Sequence, residues 1–262
     1  MMSVIQSQEI TDHLAVLRER VFSSDQYLPQ FNLLIDDVLA LSERMSEGSF
    51  VASVERMMLY GKNLFSPLFQ HTRYVSLDSS PKSADSRGAY NAHMVDDPRF
   101  LNVRCESIRC EPDALDLSDS VADLVLVPNL VHHVRNQKDF WREIHRILKP
   151  RGLVYVFEPT LREVHQFPDD FLRYTPQGLQ SVLEGLNFGS FSVRTTGGPF
   201  TAIAYCWTQA LQYLDDSERA RWQEWFSGHY QTLIDLETRF PTNQFRKHTS
   251  FPTAFSLTAQ KN

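Results

Sequence analysis

Residues 121–159 read VADLVLVPNLVHHVRNQKDFWREIHRILKPRGLVYVFEP. Residues 121–127 form a short apolar run, long enough for a buried strand and too short for a helix. Across residues 139–148, Phe140, Trp141, Ile144, Ile147 and Leu148 recur at helical spacing and predict an amphipathic helix. Lys149-Pro150-Arg151-Gly152 ends that helix, because proline cannot continue it and glycine tolerates the turn. Residues 153–157 are again apolar and β-rich. Two buried strands joined through a helix make a βαβ unit, with a right-handed crossover expected.

The same stretch resembles the second half of the core of class I S-adenosylmethionine (SAM) dependent methyltransferases. The residues that carry the resemblance are Ala122-Asp123-Leu124-Val125, then Asn129-Leu130-Val131-His132-His133-Val134, then Glu143 to Gly152 with its Leu148-Lys149-Pro150-Arg151-Gly152 turn. The fold implied is α/β: a Rossmann-like sandwich whose sheet is mostly parallel, with an antiparallel last strand. The loop at 128–134 follows the central strand, at the edge where open α/β sheets bind ligands. Asn129 is placed there as a cofactor contact. His132 or His133 is a general-base candidate near neutral pH, or else a packing and hydrogen-bonding residue. Adjacent histidines without a placed Cys or carboxylate lack metal-ligand spacing, so no metal is expected. Glu158 ends the next strand at the same edge and is a candidate to orient substrate or act as a base. Arg162, Glu163 and His165 follow in a loop bordering the pocket.

Upstream, residues 73–78 (RYVSLD) read as a strand with an acidic end, followed by Ser79-Ser80-Pro81. This is similar to the family's second strand, where the acid accepts hydrogen bonds from the ribose hydroxyls of SAM; a carboxylate suits a vicinal diol because it accepts two bonds at once. Asp78 is the residue so assigned. Counting back from Asp123, Glu111 takes the place of the acid that meets the adenine amino group, with Asp113 as the alternative. Residues 61–69 (GKNLFSPLF) fit a glycine-led pattern of a subgroup common in glycan-assembly clusters, which assigns Gly61 to the cofactor. In that register Met57 stands for the acid of the family's Asp/Glu-x-Gly-x-Gly stretch and Leu59 for its first glycine. Residues 50–59 suit either a strand or a helix, and residues 100–105 are the candidate third strand.

Residues 1–47 carry two amphipathic helical patterns and are expected to form a cap on a methyltransferase-like domain spanning 48–262. An aromatic-rich helical insertion, about 202–240, precedes the last strand at 253–259. In this family such helices often form a lid, cover the acceptor or join protomers. At 262 residues with a 42% hydrophobic fraction, the chain is long enough and apolar enough for one sizeable core. A net charge of −6 argues against nonspecific nucleic-acid binding. No apolar run reaches the roughly 18 residues of a membrane span, and the first residues lack the pattern of a secretory signal. Cys105, Cys110 and Cys206 form neither a disulfide framework nor a metal motif, as expected of reduced thiols in a cytoplasmic protein. The function expected is SAM-dependent methyl transfer to a small molecule or a sugar, with a second copy of the chain or a partner protein as further partners. The alternative is a pseudo-methyltransferase, because the glycine-rich motif is degenerate.

Overall fold

The computed structural model describes residues 6–21, 30–56, 64–79, 97–101, 103, 105–165, 168–239 and 251–262. Seven strands among these residues make one sheet: β1 Phe50–Glu55, β2 Arg73–Asp78, β3 Glu106–Arg109, β4 Ala122–Pro128, β5 Leu148–Pro159, β6 Phe188–Thr196 and β7 Ala254–Lys261. Their spatial order is β3-β2-β1-β4-β5-β7-β6. All neighbouring pairs are parallel except those made by β7, which runs antiparallel to β5 and to β6. The expected sandwich, with its reversed last strand, is the observed one.

The central βαβ unit forms as its pattern dictates. Helix α3 (the named helices α1 Ser7–Val16 and α2 Gln30–Arg44 precede it) runs Gln137–Ile147. It buries Phe140, Trp141, Ile144 and Ile147 completely against the sheet. Each such side chain contributes about 2–3 kcal/mol of transfer free energy. The turn after it is tighter than a plain loop. The β4–β5 ladder opens at Ala122–Leu148, then shifts register before Leu124–Leu153, so Lys149–Gly152 form a bulge. Arg151 there has φ +65°, and a Cβ on Gly152 would lie 2.9 Å from the Lys149 carbonyl oxygen. Glycine is required by that close approach.

Several residues of the recognisable motifs turn out to be scaffold. Asp123 accepts the Phe50 amide (2.8 Å) and the Lys149 ammonium (2.7 Å), tying the start of β1 and the post-helix turn to β4. Glu143 accepts the Leu115 amide at 2.9 Å, and Arg146 donates to the carbonyls of Leu115 and Leu117. These bonds hold the polar segment between β3 and β4 against α3.

The N-terminal helices α1 and α2 cover one face of the sheet. Val16, Leu34, Ile35 and Val38 pack with Val51, Leu124, Leu126, Tyr155 and Phe157 in one apolar cluster. A buried polar knot fastens α2: the Tyr155 hydroxyl donates to Asp37 at 3.2 Å, and Arg194 pairs with the same carboxylate. On the opposite face lie α3 and α4 (Pro176–Glu184), whose start is capped by the Thr175 hydroxyl accepting the Gly178 amide at 3.1 Å. Helices α5 (Pro199–Leu211) and α6 (Asp216–Arg239) stand between β6 and β7 in sequence and pack on each other through Ala204, Trp207, Phe226 and Tyr230.

One strand differs from the expectation at 100–105. The third strand lies at Glu106–Arg109 instead, at the sheet's edge and largely exposed. Its alternation is polar because neither face is deeply covered. Phe100 serves elsewhere, against the His13 ring at 4.9 Å between centroids. Residues 50–55, open to two readings, form a strand buried along its whole length.

Candidate functional site

β1 and β4 lie side by side at the point where strand order reverses; in open α/β sheets ligands bind outside the carboxyl ends of the strands at such a point. On the β1 side, Glu55 and Asp78 end neighbouring strands in register. Glu55 is buried and accepts the Ser76 hydroxyl at 3.0 Å and the Tyr74 hydroxyl at 3.3 Å. The Asp78 carbonyl accepts the Cys110 amide at 3.1 Å, which brings Glu111 to the same corner. Burial pushes the Cys110 thiol up to about 11; a bond from the Asp116 backbone opposes this, and the negative charges of Asp78, Asp116 and Glu111 add to it. The corner is therefore a cluster of carboxylates.

On the β4 side the chain leaves the sheet through Asn129, at φ +56°, a left-handed conformation that asparagine tolerates better than most residues. Its amide donates to the Phe157 carbonyl at 2.8 Å. The turn feeds a short 3₁₀ helix, Val131–His133. Glu158, 1% exposed at the end of β5, accepts the Val131 amide at 2.6 Å, the His132 amide at 3.4 Å and His132 Nδ1–H at 2.7 Å. His133 Nδ1–H donates to the Asp169 carbonyl at 2.6 Å. His165 completes the group: its ring centroid lies 5.3 Å from that of His132 and 4.9 Å from that of His133.

The segment 161–173 is held onto this cluster from several directions. Arg56, just past β1, pairs with Asp169 at 2.8 Å, and the Phe171 amide donates to the His132 carbonyl at 2.8 Å. Arg173 pairs with Asp170, which also accepts the His165 amide at 2.9 Å. Burial works to raise the Asp170 carboxyl, but the bonds from Arg173 and His165 outweigh it and hold the group below the ordinary carboxylate range. Burial pushes His133 down to about 3; proximity to His132 and Arg56 adds to the shift, and the bond to the Asp169 carbonyl opposes it. His165 is lowered as well, again chiefly by burial. Both rings are neutral near neutral pH.

The structure thus brings His132, His133 and Glu158 together, with Asn129 at the mouth of the same loop. Asp78 and Glu111 stand at the neighbouring corner, with Asp78 half-buried and Glu111 exposed. Gly61 lies outside the described residues. Sequence reasoning passed over Glu55, although an acid closing the run FVASVE is a legible signal. It noted His165 only as part of a loop; no spacing rule connects that residue to His132.

Residues 60–156 match the family described as a methyltransferase domain. That matched stretch runs from before β2 into β5. No curated protein matches the chain. Solved structures of methyltransferases share the fold. Phosphoethanolamine N-methyltransferase 2 of Haemonchus contortus, in complex with SAM, aligns with TM-score 0.50 and 13% identity, over 86% of this chain and 52% of that one. The chain therefore spans about half the length of that relative. A candidate methyltransferase from Bacillus halodurans aligns with TM-score 0.50 and 13% identity, over 85% of this chain and 98% of that one. A chain from the complex between the Haloferax volcanii Trm112 methyltransferase activator and a candidate methyltransferase aligns with TM-score 0.50 and 15% identity, over 94% and 96% of the two chains. No helix among the described residues is long and apolar enough to cross a membrane.

The family's cofactor is SAM, and the donor set suits it. Carboxylates accept hydrogen bonds and balance positive charge, and SAM presents an ammonium group, a ribose diol and an adenine amino group.

Proposed function

We propose that this chain transfers the methyl group of SAM to a small-molecule or sugar acceptor in the crevice between the carboxyl ends of β1 and β4. The observation that carries the reading is the pair Glu55 and Asp78, side by side at the point where strand order reverses, with Glu111 at the same corner. In this reading Asp78 holds the ribose hydroxyls, Glu111 the adenine amino group and Glu55 the ammonium group, with Gly61 and Asn129 bordering the cofactor. SAM supplies an electrophilic methyl group, and transfer is an in-line displacement in which positioning gives much of the acceleration.

The histidine side receives the acceptor. Glu158 fixes His132 through Nδ1–H, which leaves the Nε2 lone pair as the base for an acceptor hydroxyl. Glu158 is a positioning residue, because its oxygens are occupied by the loop. In this reading His133, whose ring centroid lies 4.0 Å from that of His132, flanks the acceptor. Helices α5 and α6 with the turn between them, which expose Ile203, Trp225 and Tyr213, are the surface assigned to a second copy of the chain or a partner protein.

A specific feature favours a second reading. With Glu55 as the acid of the family motif, Met57 and Leu59 stand at two glycine positions. Bulky side chains there suit a pseudo-methyltransferase, a non-catalytic partner or a fold reused for another reaction. Isothermal titration with SAM and with S-adenosylhomocysteine separates the two. Micromolar binding that Asp78→Ala abolishes supports methyl transfer; no heat at millimolar ligand overturns it in favour of the second reading.

A further inference from the structure

We propose that His132, His133 and His165 form a site for one divalent transition-metal cation of the zinc class, bound through their three Nε2 atoms. The inference deepens the acceptor-site reading above, on which the cation's use rests, while its existence can be tested separately.

Geometry comes first. The three residues each offer one ligand nitrogen, and these nitrogens all lie within 4.8 Å of one another. A tetrahedral site with metal–nitrogen bonds near 2.0–2.1 Å needs nitrogens roughly 3.3 Å apart, so loading draws the rings together modestly. His132 and His133 sit on a rigid, buried turn at the end of β4, and His165 comes from the less buried segment after β5.

Hydrogen bonding decides which nitrogens are offered. His132 Nδ1–H is held by Glu158 (2.7 Å), and His133 Nδ1–H by the Asp169 carbonyl (2.6 Å). His165 Nδ1–H donates to the Glu163 carbonyl (3.2 Å), with an Asp170 carboxylate oxygen 3.1 Å from the same nitrogen. A carbonyl oxygen or an ionised carboxylate can only accept, so each ring carries its proton on Nδ1 and presents a lone pair at Nε2. Metal-bound histidines are held in this way, with the second ring nitrogen donating to a carboxylate or a carbonyl. Here all three rings have that arrangement.

A third observation is independent. Nε2 of His132 is buried and has no hydrogen-bond partner among the described residues. Buried polar atoms are seldom left without a partner, so an orphan on a ring of this three-histidine group calls for an occupant. A metal cation meets three such lone pairs at once; a single donor group cannot.

Charge permits it. Arg56 is paired with Asp169, Arg162 with Glu163 and Arg173 with Asp170, while Glu158 sets its carboxylate behind His132. Nitrogen donors select zinc, nickel, cobalt or copper over magnesium and calcium, which take oxygen. Three protein ligands leave a fourth position open, for water or an acceptor oxygen. In the loaded site His132 Nε2 would be a ligand and not the base; the cation would lower the pKa of a bound acceptor hydroxyl, which would give its proton to solvent.

The test uses tag-free, full-length protein dialysed against Zn²⁺, with metal content read by mass spectrometry and the Co²⁺ form read by visible absorption. One equivalent per chain and a tetrahedral Co²⁺ spectrum are expected. His165→Ala, checked for intact fold by circular dichroism, abolishes the spectrum, and Glu158→Gln weakens binding by about 10–100-fold. Substoichiometric zinc in the wild type, or unchanged affinity in His165→Ala, overturns the inference. SAM titration of the same samples keeps the two readings apart. Zinc uptake without SAM binding defeats methyl transfer alone; SAM binding without zinc uptake defeats the metal site alone.

Discussion

Glu158→Gln tests how the acceptor side of the crevice is held. The substitution keeps shape and removes one negative charge. In the wild type the carboxylate accepts Val131 N–H (2.6 Å), His132 N–H (3.4 Å) and His132 Nδ1–H (2.7 Å), all buried. The amide oxygen of glutamine can keep the bond to Val131. Its NH₂ then faces His132 Nδ1–H, donor against donor. Either that bond is lost, or His132 moves its proton to Nε2, where no described acceptor stands. A charge-assisted hydrogen bond contributes about 1.5–3 kcal/mol, and a buried unsatisfied donor costs about 1–3 kcal/mol. Together these give a loss of roughly 3 kcal/mol. For a chain of this size about 1 kcal/mol moves the melting temperature by about 2–4 °C, so a drop of roughly 6–12 °C is expected. Urea unfolding followed by tryptophan fluorescence gives the free energy, and nitrogen NMR of the imidazoles gives the tautomer. A loss below about 0.5 kcal/mol with His132 still protonated on Nδ1 would refute the reasoning, since the carboxylate would then not be holding the loop.

Other expectations follow from single features. Gly197→Ala places a side chain at φ +74° with its Cβ 2.2 Å from the Thr253 hydroxyl; destabilisation of about 2–4 kcal/mol is expected by denaturant titration, and a neutral result contradicts the local geometry. Tyr155→Phe removes the hydroxyl that donates to Asp37 at 3.2 Å and should cost about 1–2 kcal/mol of stability, with the SAM titration unchanged. His13 is buried in α1, donating to the Leu64 carbonyl at 2.8 Å and accepting the Leu101 amide at 3.2 Å; burial lowers it from its ordinary value of 6.5, against the opposing bond to Leu64. Because the unfolded chain then takes up a proton that the folded chain refuses, its contribution is complete above about pH 6.5 and is lost as pH falls below it. The slope reaches at most about 1.4 kcal/mol per pH unit, and His13→Gln should flatten the stability profile measured between neutral and mildly acidic pH; an unchanged slope counts against the assignment.

The order of strands and helices was legible where periodicity was strong. The run at 121–127, the helical face of Phe140, Trp141, Ile144 and Ile147, and the Lys149–Gly152 break each depend on neighbours within a few residues, and each formed as its pattern required. The edge strand β3 was misplaced because it lies at the sheet's margin, where little burial imposes a pattern. Asp78 was legible for the same local reason, as an acid closing an apolar strand. Met57 stands at the motif acid's place in the sequence register because the residues beyond Glu55 have no glycine until Gly61; β1 itself ends at Glu55, paired with Asp78 at the end of β2.

What the sequence determined by itself was the α/β class, the central βαβ unit and the edge at which ligands belong, because hydrophobic spacing and turn chemistry act over short distances along the chain. What only the tertiary structure decided was which polar groups meet there. Glu158 reaches back to His132 across the β4–β5 pair, and Arg56 reaches Asp169 from the far side of β4. His165 enters on a loop pinned by Asp170 and by the His132–Phe171 backbone bond. Those meetings follow from strand order and loop docking, which no local pattern encodes, and they bring separate histidines and carboxylates into one cluster.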